Sequence, residues 1–158
     1  MLNSYWLTIP FALQIFFMAL DEFRFHRERG LPRWEKIGHP LDALTVILCL
    51  TWILLRPPDH RSAAVFFGLA VFSCLFVTKD EPVHQRCCSA GEHWIHAVLF
   101  MLHPITLASA GLLWPAVWRP STGFERVFVS AICVLMVGFG IYLSVFWNLV
   151  WRPQNQAK

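Results

Sequence analysis

Charge is scarce in this chain. Only 15% of its 158 residues are charged, against 56% that are hydrophobic, and the mean hydropathy is +0.50. A water-soluble domain of this length needs more charge to cover its surface, so an ordinary soluble globule is excluded and the bilayer is the natural solvent. No linker, low-complexity stretch or charge block divides the sequence, which reads as one integral membrane domain over 1–158. The first apolar run lacks a basic leader, and Asp21-Glu22 follows where small residues would mark a cleavage site. It is therefore expected to stay as a membrane helix rather than act as a secretory signal. G-x-S-x-G, a Gly-rich phosphate loop and H-E-x-x-H are also missing, so the common local signatures of hydrolase and nucleotide sites give no support.

What the chain does have is apolar length. Crossing roughly 30 Å of hydrocarbon takes about 20 residues. Suitable runs lie near 2–20, 41–57, 62–79, 93–118 and 126–151. They predict an all-α, polytopic membrane bundle of about five transmembrane helices. Basic residues set the orientation. Arg24, Arg27, Arg29, Arg33, Lys36, Lys79, Arg86, Arg152 and Lys158 fall in or beside one set of connections, and only Arg56, Arg61, Arg119 and Arg126 in the other. By the positive-inside rule the first set is cytoplasmic, with the N-terminus outside and the C-terminus inside. A bacterial inner membrane is the expected location, with membrane lipids as the surroundings. The net charge of +3 is accounted for by this bias and implies no nucleic-acid partner. Oligomeric state is not legible.

A weak internal repeat runs through the first four spans. Asp21-Glu22, His26, His39-Pro40 and Arg56-Pro57 recur in order as Asp80-Glu81, His84, His103-Pro104 and Arg119-Pro120. The halves are 1–57 and 62–120, each a helical hairpin, with 126–151 as an extra helix. Packed around an axis normal to the membrane, two such hairpins present both acidic loops on one face.

That face gathers the chemistry. Of the seven histidines, only His60 lies away from the two motif segments, and of the ten acidic residues, only Asp59 and Glu125 do. Glu22 and His26 are four residues apart, as are Glu35 and His39, and Glu81 and His84 are three apart, spacings that bring side chains together on a helix. At 100° per residue Glu92, His96 and His103 fall on one stripe, with His93 turned away and His103 about two turns deeper. An ionisable group at that depth points to function, or else to a neutral histidine bonded to a neighbouring helix. Asp42 is expected to cap the second span. Trp94, Trp114, Trp118, Trp147 and Trp151 read as interfacial anchors.

Mixed carboxylate and imidazole donors suit Fe, Zn or Mn, and their number exceeds the needs of one four-coordinate zinc. The candidate ligands are Glu22, His26, Glu35, His39, Glu81, His84, Glu92, His96 and His103, holding two divalent ions. The construction is similar to that of carboxylate-bridged di-iron bundles, although the Glu-to-His spacing is four rather than three. Cys49, Cys74 and Cys133 lie in apolar spans as packing residues. Cys87 and Cys88, in a connection assigned to the reducing side, are either plain loop residues or accessory ligands. Ion pairing with the interspersed Arg and Lys would satisfy the acids without metal, but leaves the histidines unexplained. The sequence thus points to a membrane metalloenzyme acting on a lipid-like substrate, by oxidation with iron or hydrolysis with zinc. A metal carrier, a channel or a structural scaffold is the alternative.

Overall fold

The computed structural model describes residues 4–120 and 123–152, except the side chains of Val83 and Cys87. All regular structure among the described residues is helical. Five helices are long and apolar enough to cross a membrane: α1 (Ser4–Arg29), α2 (Arg33–Leu55), α3 (His60–Arg86), α4 (Ala90–Val117) and α5 (Phe124–Val150). Their lengths, 23 to 28 residues, correspond to about 34–42 Å at 1.5 Å per residue. Every helix carries large apolar side chains on its outer face, among them Phe16, Leu48, Phe67, Leu75, Met101, Leu112 and Val134. Contiguous apolar surface of this extent is not sustained by a monomer in water.

The helices interlock rather than stand as two separate hairpins. α1 packs on α4, α2 packs on α3 and α4, and α2 makes its most extensive contact with α5. An apolar core including Cys49, Leu50, Ile53, Leu113, Trp114 and Val129 fills the bundle, and a smaller cluster joins Leu31, Leu143 and Trp147. Local signals set the ends. Asp59 caps α3 by accepting from the Ser62 backbone N–H at 2.9 Å, and this bond holds its carboxyl below the usual range. Ser89 caps α4 by accepting from the Glu92 N–H at 3.3 Å. Gly30, at φ 75°, makes the turn between α1 and α2, where a Cβ would come within 2.6 Å of the Trp151 ring.

The structure corrects two local expectations and adds a third finding. The acid-rich segments are not loops. They are helical continuations of the spans: a π-helical stretch Asp21–His26, a 3-10 turn Val77–Asp80 and a helix Glu81–Cys87. Likewise, the second span does not open near residue 41: α2 begins at Arg33 and continues through Pro40. Asp42 is therefore no cap. Finally, three of the tryptophans have partners inside the bundle. Trp114 and Trp118 donate at 2.8 Å to the Arg56 and Ile53 carbonyls, satisfying acceptors that the end of α2 leaves open, and Trp147 is buried.

Candidate metal centre

The ends of α1, α3 and α5 meet the starts of α2 and α4 at one end of the bundle. There the buried residues Asp21, Glu22, His26, Asp80, His84 and His96 line a cavity with the half-buried His39 and Asp42, and the buried Glu35 and Glu92 stand beside them, paired with His84 and His26. The positive N-terminal ends of α2 and α4 carry Glu35 and Glu92 in their first turns, a favourable place for a carboxylate.

One group is compact. Asp21, His26, Glu92 and His96 each offer a donor atom within 4.8 Å of the others. His96 Nε2 lies 3.0 Å from Asp21 Oδ2, and His26 Nε2 lies 3.2 Å from the same oxygen and 3.8 Å from Glu92 Oε1. The sets His26, Glu35, His39; His39, Asp42, Asp80; and His84, Cys88, His96 meet the same 4.8 Å limit. Imidazoles crowd together: ring centroids are 4.0 Å apart for His84 and His96 and 5.0 Å for His26 and His39. Around the cavity, Asp21 Oδ1, His26 Nε2, Glu35 Oε1, His39 Nε2, Asp80 Oδ1, both His84 nitrogens and His96 Nδ1 are buried without a hydrogen-bond partner. Buried polar atoms are almost always bonded, so a concentration of exceptions at one place calls for a ligand.

Two cations of the chain already sit among the acids. Arg29 donates to Glu35 at 2.8 Å and to Glu92 at 2.9 and 3.1 Å. Lys79 reaches both Asp42 oxygens at 2.7 Å and Asp80 at 2.9 Å. Gly38 makes room for that ammonium arm, because a Cβ there would lie 2.9 Å from Lys79 Cε. The Cys88 thiol is held in its protonated form by burial, which pushes its pKa up, so it joins His84 and His96 as a weak donor unless a metal draws off the proton.

Glu22 stands behind the ring of donors. Its Oε1 accepts from Tyr142 at 2.8 Å and Trp147 Nε1 at 2.9 Å, and its Oε2 lies 3.2 Å from His26 Nδ1. With the His26 Nδ1–H donated to Glu22, the Nε2 lone pair faces Asp21 and Glu92. Metal-binding histidines are oriented in this way by a carboxylate on the far nitrogen. Replacing Trp147 with Phe should leave Glu22 one donor short and cost about 1.5–3 kcal/mol of stability, the value of a hydrogen bond to a charged group. Thermal unfolding of the variant in detergent measures it.

Not all nine sequence candidates converge. His26, Glu35, His39, His84, Glu92 and His96 line the gathering of donors, and Glu22 orients one of them. Glu81 lies at its edge, bonded to Gln85 at 3.4 Å, while its neighbour Asp80 turns inward. α5 covers Glu22 with Tyr142 and Trp147, whereas Glu81 is half-buried. His103 is on the predicted inward stripe of α4, but both its nitrogens are engaged elsewhere: Gln14 Nε2 at 3.1 Å on Nδ1 and Ser73 Oγ at 2.9 Å on Nε2. Ser73 continues to Thr45 at 2.7 Å. His103→Ala should therefore leave metal content unchanged while destabilising the bundle by about 1–3 kcal/mol for each stranded partner. Loss of metal in that variant would place His103 among the ligands instead.

Asp21 and Asp80 were missed as donors because the reading assumed 3.6 residues per turn. In the π-helical stretch, residues five apart come together, as Asp21 and His26 do; such bulges are frequent at functional sites. Comparison with protein-family models, with curated proteins and with solved structures gave no match, so the geometry is the basis for function.

Proposed function

We propose that this is an integral membrane metalloenzyme holding two divalent ions at the polar end of its bundle, each in an Asp-His-Glu-His half-site. One half-site is Asp21, His26, Glu92 and His96; the other is Asp80, His84, Glu35 and His39. The observation that carries the reading is the set of buried imidazole and carboxylate atoms, without hydrogen-bond partners, gathered at and beside the cavity. Its two-part form is supported by recurrence of the contacts. Asp21 to His96 at 3.0 Å is answered by Asp80 to His39 at 3.9 Å, and His26 to Glu92 at 3.8 Å by His84 to Glu35 at 3.5 Å. The corresponding residues stand 59, 58, 57 and 57 positions apart. In this register His39 matches His96 rather than His103. The packing of α1 on α4 and of α2 on α3 follows the same exchange of halves.

Charge supports the same count. Asp21, Glu22, Glu35, Asp42, Asp80 and Glu92 are six carboxylates, and among the described residues Arg29 and Lys79 are the two cations bonded among them. Unpaired buried charge is expensive, and two divalent ions neutralise the remaining four. Four protonated imidazoles would also do so, but only with rings as close as 4.0 Å repelling one another.

Catalysis accounts for the surroundings better than transport. The cavity beside the donors has room for a reactant and walls of Met, Val, Leu and Phe suited to a lipid-like one. Toward the far end, the interior is apolar core, and indoles tie the end of α2. A carrier needs polar groups across the whole depth. The bias of Arg and Lys toward the polar end supports a cytoplasmic position for that end. The mixed donors suit Fe, Zn or Mn, with iron supporting oxidation and zinc supplying a hydroxide for hydrolysis. X-ray absorption at the edge of the bound metal is the test. The reading expects nitrogen and oxygen donors near 2.0–2.2 Å with outer-shell scattering from imidazole. An all-oxygen shell without imidazole would sink it.

A further inference from the structure

We propose that the cavity and the recess beyond it form a binding site for one small hydroxylated apolar molecule, with Gln14 and Thr106 as its polar anchor. The main cavity is about 130 Å³, and a recess of about 30 Å³ adjoins it. Both are lined by Gln14, Met18, Val46, His103 and Met136, so they meet at the level of His103. Deeper in, the recess is walled by side chains such as Phe11, Leu50 and Leu107.

Two buried oxygens break that apolar lining. Gln14 Oε1 and Thr106 Oγ1 have no hydrogen-bond partner. Other helical hydroxyls close onto their own helix: Thr45 onto Asp42, Thr78 onto Leu75, Ser109 onto Ile105 and Ser144 onto Gly140. Thr106 does not. The Gln14 amide is oriented by its nitrogen on His103 at 3.1 Å, which fixes where its oxygen points. An amide oxygen only accepts, whereas a threonine hydroxyl gives or accepts. A ligand hydroxyl satisfies both, donating to Gln14 and accepting from Thr106.

Size and level set the rest of the molecule. A cavity on the order of 150 Å³ lined by apolar side chains takes up benzene. Gln14 lies seven residues before Asp21, and His103 seven after His96, which is about 10 Å along each helix. A phenol or short alcohol anchored in the recess therefore extends its apolar body toward the metal donors. As the reactant of the proposed enzyme the molecule rests on the reading above; as a ligand it does not, and the two are tested apart.

The probe is 4-fluorophenol, followed by fluorine NMR with the protein in lipid nanodiscs, both as purified and after chelation. A saturable bound resonance is expected in both preparations. Fluorobenzene should bind at least about tenfold more weakly, since it leaves both oxygens unpaired. Thr106→Val, nearly the same shape, should weaken the phenol by a similar factor, and Met136→Trp should abolish binding by filling the cavity. No saturable resonance, equal binding of fluorobenzene, or an unchanged affinity in Thr106→Val would overturn the site. Metal content measured on the same samples separates that failure from a failure of the metal reading.

Discussion

Chelation should destabilise the metal-loaded protein more than any single substitution. An ion bound to the folded chain and present at 1,000 times its Kd adds about 4 kcal/mol, so two independent sites add about 8. Those ions would also offset the excess of six carboxylates over Arg29 and Lys79 at the polar end, where even the cation-bonded Glu35, Asp80 and Glu92 are each 1% exposed or less. Most of the apolar core, including Leu50, Ile53, Leu113, Trp114 and Val129, does not line the donor cavity, so chelated protein should stay helical while its unfolding midpoint falls sharply. Thermal unfolding followed by circular dichroism, with and without chelator, measures the shift. A midpoint that does not move would mean that the carboxylates are balanced by protons and by Arg29 and Lys79 alone.

Arg29→Met should have the second-largest effect, with a size that depends on metal. The guanidinium bonds Glu35 and Glu92 together, and one of these acids belongs to each proposed half-site. Removing one partner of a buried ion pair costs about 3–5 kcal/mol, chiefly because the remaining charge stays buried. In metal-free protein that full loss is expected. With metal bound, cations beside Glu35 and Glu92 replace much of the missing charge, so the loss should shrink. Unfolding of wild type and variant in both states forms a thermodynamic cycle. Equal losses in the two states would show that Arg29 acts independently of metal.

Much of this arrangement was legible before the structure. Five apolar runs are a signal of length and composition, which does not depend on knowing how helices pack. The inward stripe of Glu92, His96 and His103 was readable because α4 is regular there, and the 3.6-residue period holds. The errors fall where the period changes. Asp21 and Asp80 sit in π-helical and 3-10 turns, so assigning faces at 100° per residue passed over both. Trp147 was misread for a different reason: its carboxylate partner is Glu22, more than a hundred residues away, and no local pattern encodes that. His103 shows the limit of depth as a clue. Its inward position followed from spacing, but its neutral partners Gln14 and Ser73 come from two other helices.

The most direct test of the central claim is metal stoichiometry, by elemental analysis of detergent-purified protein reconstituted with Fe(II), Mn(II) or Zn(II). The account predicts two equivalents in the wild type. It predicts about one when Asp21→Asn and His96→Ala disable the first half-site, and about one when Asp80→Asn and His39→Ala disable the second. No retained metal in folded wild-type protein would contradict it, and the gathering of histidines and carboxylates would then be a polar network held by Arg29, Lys79 and protons.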